Sequence, residues 1–266
     1  MRRVRLRKVI LCLWVLTLCA LFWITEASAL PLSYQKLGVP DFSQLADPAW
    51  GNSYCAPTAA ANSVWYFGEH GFPLLNQGFA WGDNAGAGTV ISDLGTDMNT
   101  DPWGGTSATN IRDGWQTYLD RYYPTPTIPY FQTELVWASD FANGGTGLWE
   151  YMKEELYRCE DVMPLVLWDG GGGHAITMVG WDSSNIYIND PWNNPGNQHN
   201  WGGEYLGVTT TVTSGGIGVS WGTGTGTIAG AVVSSPVIPE PTTIILMGCG
   251  LIGLLSIVIR QRRKEK

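Results

Sequence analysis

The order of helical and extended signals along the chain predicts an α+β fold, with helices first and an antiparallel sheet second. Between residues 57 and 156, apolar side chains recur at helical spacing in three places. From Val162 to Thr213 they gather instead into short β-branched and aromatic runs parted by turn residues. Elements segregated in this way pack as α+β rather than as alternating βαβ units.

The first helix is expected over Pro57–Phe67. Cys55 stands just before it, Pro57 sits in the first turn where a missing N–H costs nothing, and Gly68 ends it. Residues 71–105 are rich in Gly, Asn and Asp with no sustained period, and read as loop. Thr106 can cap a second helix whose Ile111, Trp115 and Leu119 recur every four residues and so share one face. Tyr130–Trp137 reads as extended. Leu148–Leu156 reads as a short helix with Trp149, Met152 and Leu156 inward. Strands are then expected at Val162–Trp168, Ala175–Trp181, Ile186–Asn189 and Thr209–Thr213. Ser214–Gly230 reads as loop or weak strands, and Val237 opens a linker. Glycine (34 residues) and tryptophan (14 residues) are both abundant, which points to a loop-rich surface with aromatic anchors.

Both ends have the character of addressing segments. A basic head (Arg2, Arg3, Arg5, Arg7, Lys8) precedes an apolar run from Val9 to about Ile24 and the small-x-small pattern Ala27-Ser28-Ala29, so residues 1–29 read as a secretory signal peptide. At the other end Pro239-Glu240-Pro241 precedes an apolar stretch over 243–259 and the cluster Arg260, Arg262, Arg263, Lys264. That stretch is near the lower limit for a membrane-spanning helix, and the basic cluster would hold its end in the cytoplasm. The domain expected between them is 30–235, and the tail is 236–266.

With the ends set aside, the charge balance changes sign of meaning. Between Leu30 and Ser235 five basic residues face twenty acidic ones, a formal charge near −15. A nucleic-acid or anionic-surface binder needs the opposite sign, so that class is excluded. About two hundred residues remain, enough for one domain with its own core.

The chemistry is concentrated in three places: Tyr54-Cys55-Ala56-Pro57-Thr58, Gly173-His174-Ala175, and Asn189-Asp190-Pro191. A thiol attacks a carbonyl as thiolate, and a helix N-terminus lowers its pKa through unpaired N–H groups and the helix dipole. Cys55 has that placement. An imidazole completes a thiolate–imidazolium pair, and a third group orients the ring. If Ala175–Gly180 pairs with Ser184–Asn189 through a three-residue connection, His174 stands directly across from Asp190, with Cβ atoms about 4.5–5.5 Å apart. A five-residue connection would leave them diagonal. The glycines 170–173 leave the flank of His174 open.

Other candidates carry less. Cys159 is the second cysteine of the central part, and an oxidising compartment invites a Cys55–Cys159 disulfide that would abolish the thiolate. His70 reads as a helix-end residue, His199 as a rival base in a loop, and Asp182 as a turn residue. The three His are scattered with no Cys-x-x-Cys or His-x-x-x-His spacing, which speaks against a catalytic zinc site. The Gly run 170–173 precedes a strand, not a helix, and so is no phosphate loop. Trp81, Trp103, Trp192, Trp201 and Trp221 read as loop residues that cap the core edge, with stacking on sugar rings or peptide side chains as the alternative.

The three motifs together resemble papain-like cysteine peptidases, in the branch of bacterial double-glycine-leader (bacteriocin-processing) peptidases and their stand-alone relatives. The likeness runs from about Val39 to Asn193. It implies Cys55 as nucleophile, His174 as general base and then acid, and Asp190 as orienting acceptor, with no metal or organic cofactor. Ala56 stands where that family usually has Gly. Its oxyanion Gln lies a few residues before the Cys, whereas Gln44 is eleven residues ahead here, with Asn52 as an alternative donor. The tail resembles the PEP-CTERM sorting signal, which implies an exosortase-like processing enzyme, with an ordinary single-pass anchor as the alternative. The expected function is an exported cysteine peptidase acting on peptide or protein substrates at the cell surface or in the extracellular matrix, anchored transiently in the inner membrane by its tail. A catalytically silent peptide- or matrix-binding module of the same fold is the alternative, and a transferase of that fold a third reading.

Overall fold

The computed structural model describes residues 29–50, 52–124, 130–192, 198–222 and 224–237. Residues 1–31 fall into a unit of their own, of which only 29–31 are described, and the helices and strands belong to the unit from Leu32 onward. The expected signal peptide (save its last residue) and the expected span at 243–259 lie outside the described residues. Among the described residues no helix is long and apolar enough to cross a membrane.

Helix α1 (Cys55–Glu69) begins at the cysteine itself, and His70 closes it by donating its backbone N–H to Phe67 O. It is buried on every side from Ala56 to Phe67, so it is a core helix rather than an amphipathic surface one. Helix α2 (Asn84–Asp97) occupies the middle of what the composition marked as loop. Its three glycines each cost about 1 kcal/mol of helix propensity relative to alanine. Packing overrides that: Val90, Ile91 and Leu94 are buried, and Asp83 caps the N-terminus by accepting from Gly86 N–H. Helix α3 (Ala108–Tyr122) is capped by Ser107 rather than Thr106, and its Ile111, Trp115 and Leu119 form the expected buried face. It crosses α2 so closely that a Cβ on Gly114 would meet Met98 Cα at 2.4 Å. Helix α4 (Gly145–Tyr157) buries Leu148, Met152 and Leu156, while Trp149 is only half-buried.

The described strands form one antiparallel sheet: β1 (Tyr34–Gln35), β2 (Tyr130–Trp137), β3 (Asp161–Trp168), β4 (Gly173–Ala175), β5 (Thr177–Trp181), β6 (Asn185–Asn189), β7 (Leu206–Thr213), β8 (Gly216–Trp221) and β9 (Gly224–Val237). Their order is β1-β5-β6-β7-β8-β9-β3-β4, with β2 alongside β9. Strands β4 and β5 are successive, parted only at Ile176, whose N–H donates to Pro164 O on β3. The path therefore curls back on itself. The segment expected to be loop or weak strands is instead β8 and the 14-residue β9, which pairs with β2, β3 and β8. It runs to Val237, past the expected domain edge at 235.

Two apolar cores result. One joins α1, α2 and α3 (Trp65, Ile91, Leu94, Trp115, Leu119); the other lies between α4 and the curled sheet (Met152, Ile176, Trp181, Ile188, Ile217). Buried polar groups fasten helix to sheet. Asn62 accepts from Phe42 N–H and donates to Thr177 Oγ1, which donates to Ala59 O, each at 2.8–3.0 Å. With every polar atom partnered, these bonds fix the position of α1 against β5 without the penalty of an unsatisfied buried group.

Candidate active site

Cys55 is the first residue of α1. The N-cap residue, Tyr54, makes no side-chain capping bond, so the first-turn N–H groups stay free to face an anion. Cys55 is half-buried at the surface of a cleft. Burial alone would push its thiol up; the hydrogen bond and charge of His174, with the backbone amides of Ala175 and Ala56, outweigh it and hold the thiol below its ordinary value.

His174 lies on β4, opposite Val166 of β3. Its Nε2 is 2.7 Å from Asp190 Oδ1, and its side chain also hydrogen-bonds Cys55. Nε2 being taken, Nδ1 is the nitrogen left for the sulfur. Burial works against a charged imidazole, yet the bonds and charges of Asp190 and Cys55 raise the pKa of His174 to about 10. Each partner therefore favours the charged form of the other, thiolate on Cys55 and imidazolium on His174.

The register that brings His174 to Asp190 differs from the expected one. Thr177 pairs with Asn189 and Trp181 with Ile186, with an irregularity between Met178 and Gly180, so His174 is not directly across from Asp190. The break at Ile176 lets β4 leave β6 for β3, and the side chain reaches the carboxylate diagonally. The hairpin tip is fixed by Asp182, which accepts from the N–H groups of Ser184 and Asn185 as the expected turn residue. Asn189 anchors the other side, donating to Val39 O and Pro40 O and accepting from Glu204 and Tyr205 N–H.

Asp190 is buried and fully engaged. Its Oδ1 also accepts from Trp192 N–H at 3.0 Å, and its Oδ2 accepts from Trp221 Nε1 at 2.7 Å. Desolvation would raise its pKa; the hydrogen bond and charge of His174, then Trp221 and the Trp192 amide, bring it below the usual carboxylate value. Trp221 packs on Trp168, which lies over His174 with ring centroids 5.9 Å apart. Trp221 thus does more than the core-edge role read from its composition. Its distance in sequence from Asp190 left no local signal. Trp201 does cap the core, packing on Phe42, Trp65 and Trp81.

Gln44 is buried near the start of α1. Its backbone N–H donates to Pro191 O at 2.9 Å, and its Nε2 donates to Asn52 O at 3.0 Å, while its Oε1 has no hydrogen-bond partner. These two bonds tie Gln44 to Pro191, next to Asp190, and to Asn52, three residues before Cys55. Asn52 itself is exposed and lines the cleft.

The other candidates fall elsewhere. Cys159 is a free, exposed thiol just beyond α4, and Cys55 is also free, so no bridge joins them. His70 stacks on Tyr66 at the end of α1. His199 accepts from Ser43 N–H through Nδ1, and burial lowers its pKa to about 4. It lines a separate cavity of about 890 Å³ with Asp47 and Asp93, away from Cys55. Among the described residues no group of three or more His, Cys, Asp or Glu is placed to hold a metal ion.

Residues 237–263 match the PEP-CTERM protein-sorting motif, which marks an exported, surface-targeted protein and implies an exosortase-like processing enzyme. Curated proteins return no match. Residues 36–206 match the Peptidase_C39 like family. That stretch runs from just after β1 to the first residue of β7 and holds Cys55, His174 and Asp190. Covering more than half of the sequence and carrying the α+β, papain-like arrangement, it shows that the chain belongs to the Peptidase_C39 like family.

Proposed function

We propose that the exported domain is a cysteine peptidase that hydrolyses peptide bonds through an acyl-enzyme. The observation that carries this reading is the line Cys55–His174–Asp190, a thiol at a helix N-terminus bonded to an imidazole that is itself bonded to a buried carboxylate. In the first step the Cys55 sulfur adds to the carbonyl carbon and a C–S bond forms. The C–N bond then breaks as His174 gives its proton to the leaving amine. Water attacks the acyl carbon, loses a proton to His174, and the C–S bond breaks to return the thiolate. Asp190 holds the ring in place, and Gln44 supplies the second N–H of Nε2 to the oxyanion, with Asn52 as the alternative donor. Residues 1–29 serve as the signal peptide, and the residues beyond β9, which ends at Val237, serve as the tail whose 243–259 segment holds the membrane before processing.

Labelling of the full-length protein with iodoacetamide near pH 6, without reductant, tests this. Mass spectrometry should find Cys55 modified far ahead of Cys159, and the preference gone in His174→Ala. Two equally sluggish thiols, or a Cys55–Cys159 disulfide, would leave the peptidase reading without its nucleophile. The second reading, a silent binding module of the same fold, draws support from the buried Gln44 amide, one of whose protons is already committed to Asn52 O.

A further inference from the structure

The cavity of about 890 Å³ that His199 lines lies apart from the reactive line, between the 3-10 turn Pro48–Trp50 and the first half of α2. Its polar side chains share one pattern: each is fastened to the protein through one atom and keeps another. Asn84 Oδ1 accepts from Trp201 Nε1 at 2.8 Å, Asp93 Oδ2 from Gln77 Nε2 at 2.9 Å, and Asp47 Oδ1 from Ala49 N–H at 2.8 Å. Ser92 Oγ accepts from Trp50 Nε1 at 3.2 Å, and His199 Nδ1 from Ser43 N–H at 3.1 Å. With Nδ1 accepting, the proton of His199 sits on Nε2, and burial keeps the ring neutral. Three donors (Asn84 Nδ2, His199 Nε2, the Ser92 hydroxyl) and two acceptors (Asp47 Oδ2, Asp93 Oδ1) are left without a partner among the described residues.

That make-up selects a class of ligand. Two carboxylates, with no Lys or Arg lining the cavity among the described residues, turn anions away. An ammonium offers only N–H groups, so the amide, imidazole and hydroxyl donors would face it unpaired. An apolar ligand would take water from these groups and return no bonds. A hydroxyl both donates and accepts, so several hydroxyls on one rigid ring suit donors and acceptors already fixed in place. Apolar surface for the C–H face of such a ring stands nearby: Trp201, which holds Asn84, packs on Trp81 at 5.3 Å, and Trp81 is 42 % exposed. Gly88 keeps the space open beside Trp50.

We infer that this cavity is a second binding site, for an uncharged oligosaccharide whose hydroxyls bond to Asn84, Asp93 and His199. The volume is within the range of small-molecule sites. The inference does not depend on the peptidase reading, because none of these residues touches Cys55, His174 or Asp190.

The test is saturation-transfer NMR on the purified full-length protein, with cellotetraose, maltotetraose and N-acetylchitotetraose as neutral probes. Chitosan tetramer is the cationic probe and tetragalacturonate the anionic one. At least one neutral probe should receive saturation and bind about 10-fold or more tighter than either charged one. Gly88→Gln places a side chain in the cavity at a helix position where its Cβ meets Trp50 at an ordinary 4.0 Å. Glutamine is also the better helix former, so the fold should survive, with Cys55 alkylation unchanged and the transfer abolished. Asn84→Ala, at an exposed position, removes one donor and should weaken binding about 3–10-fold, the worth of a neutral hydrogen bond. Saturation of no neutral probe, a preference for a charged one, transfer that survives Gly88→Gln, or an affinity unchanged in Asn84→Ala overturns the assignment.

Discussion

The indole N–H of Trp221 donates to Asp190 Oδ2 at 2.7 Å, on the oxygen that His174 leaves free. Asp190 is therefore held by donors on both oxygens, and its carboxylate cannot turn away from the imidazole. Trp221→Phe keeps an aromatic ring against Trp168 but removes the donor. A hydrogen bond to a charged group contributes about 1.5–3 kcal/mol. The expected outcome is a fall of about 10-fold or more in the alkylation rate of Cys55 at pH 6 and in kcat/KM. The melting temperature should fall too, by about 2–4 °C for each kcal/mol lost, because buried Asp190 Oδ2 is left without its donor. An unchanged alkylation rate would mean that Trp221 only fills space.

The charge state of the thiol–imidazole pair sets the pH dependence. Cys55 is held below its ordinary value of 9.0 and His174 is raised to about 10. The pair titrates as a unit, so its ion-pair form exists above the thiol's lowered pKa and disappears as the imidazolium loses its proton near 10. Acylation needs that proton. The kcat/KM profile should thus rise through the thiol's lowered pKa and fall on the alkaline side towards about 10. In His174→Ala burial acts on the thiol alone, and its thiolate fraction at pH 7 should drop to about one part in 100 or less. Alkylation rates measured from pH 5 to 10 on both proteins check this.

The three side chains that the fold brings together, Cys55, His174 and Asp190, each sit in a short motif that marks them in the sequence: Cys55 ahead of Pro57, His174 after a glycine run, Asp190 before Pro191. Helices α3 and α4 were legible from their apolar spacing, and α1 from Pro57 and Gly68 at its ends. Helix α2 was not, because Gly86, Gly88 and Gly95 lower its propensity. Two of them are there for tertiary reasons, since a Cβ on Gly86 would strike Phe79 and one on Gly95 would strike Tyr54. Strand β9 was hidden by its Gly, Thr and Ser content, which matches a loop until three neighbouring strands pair with it. The hairpin register departs from the expected one for a related reason. Nothing local announces that Ile176 bonds back to Pro164 and turns β4 away from β6.

Gln44 and Asn52 can be separated as oxyanion donors. Gln44 Nε2 spends one proton on Asn52 O at 3.0 Å and retains another, while the Asn52 side chain lies at the cleft surface. Loss of one such donor costs about 10²–10³ in kcat. Gln44→Ala should show that loss with KM little changed, and Asn52→Ala less than 10-fold, about the scale of a neutral hydrogen bond. Because Gln44 is buried, Gln44→Glu serves as the control: it preserves shape but presents negative charge to the oxyanion, and should be at least as inactive. If Asn52→Ala proves the more damaging, the donor is Asn52 and Gln44 supports the loop.

A second pair of acidic residues governs stability away from the site. Glu155 is buried near the end of α4; burial first, then a hydrogen bond and repulsion from Glu160, raise its pKa to about 8, against a partial offset from Arg158. Glu160 meanwhile accepts from Ser235 Oγ at 2.5 Å, which keeps the two carboxyls together at the start of β3 and near the end of β9. The fold therefore favours a protonated Glu155. Its contribution is fully present below 4.5, the ordinary value, and is lost as pH rises through about 8. Glu155→Gln keeps an N–H donor towards Glu160 and removes the titration. Arg158 and nearby solvent screen the pair, so a gain of about 2–4 °C in melting temperature at pH 8.5 is expected, the shift that 1 kcal/mol makes in a domain of this size. At pH 4.5 the two proteins should melt together. Melting curves across that range decide it, and a gain that is the same at both ends would assign the effect to packing instead of charge.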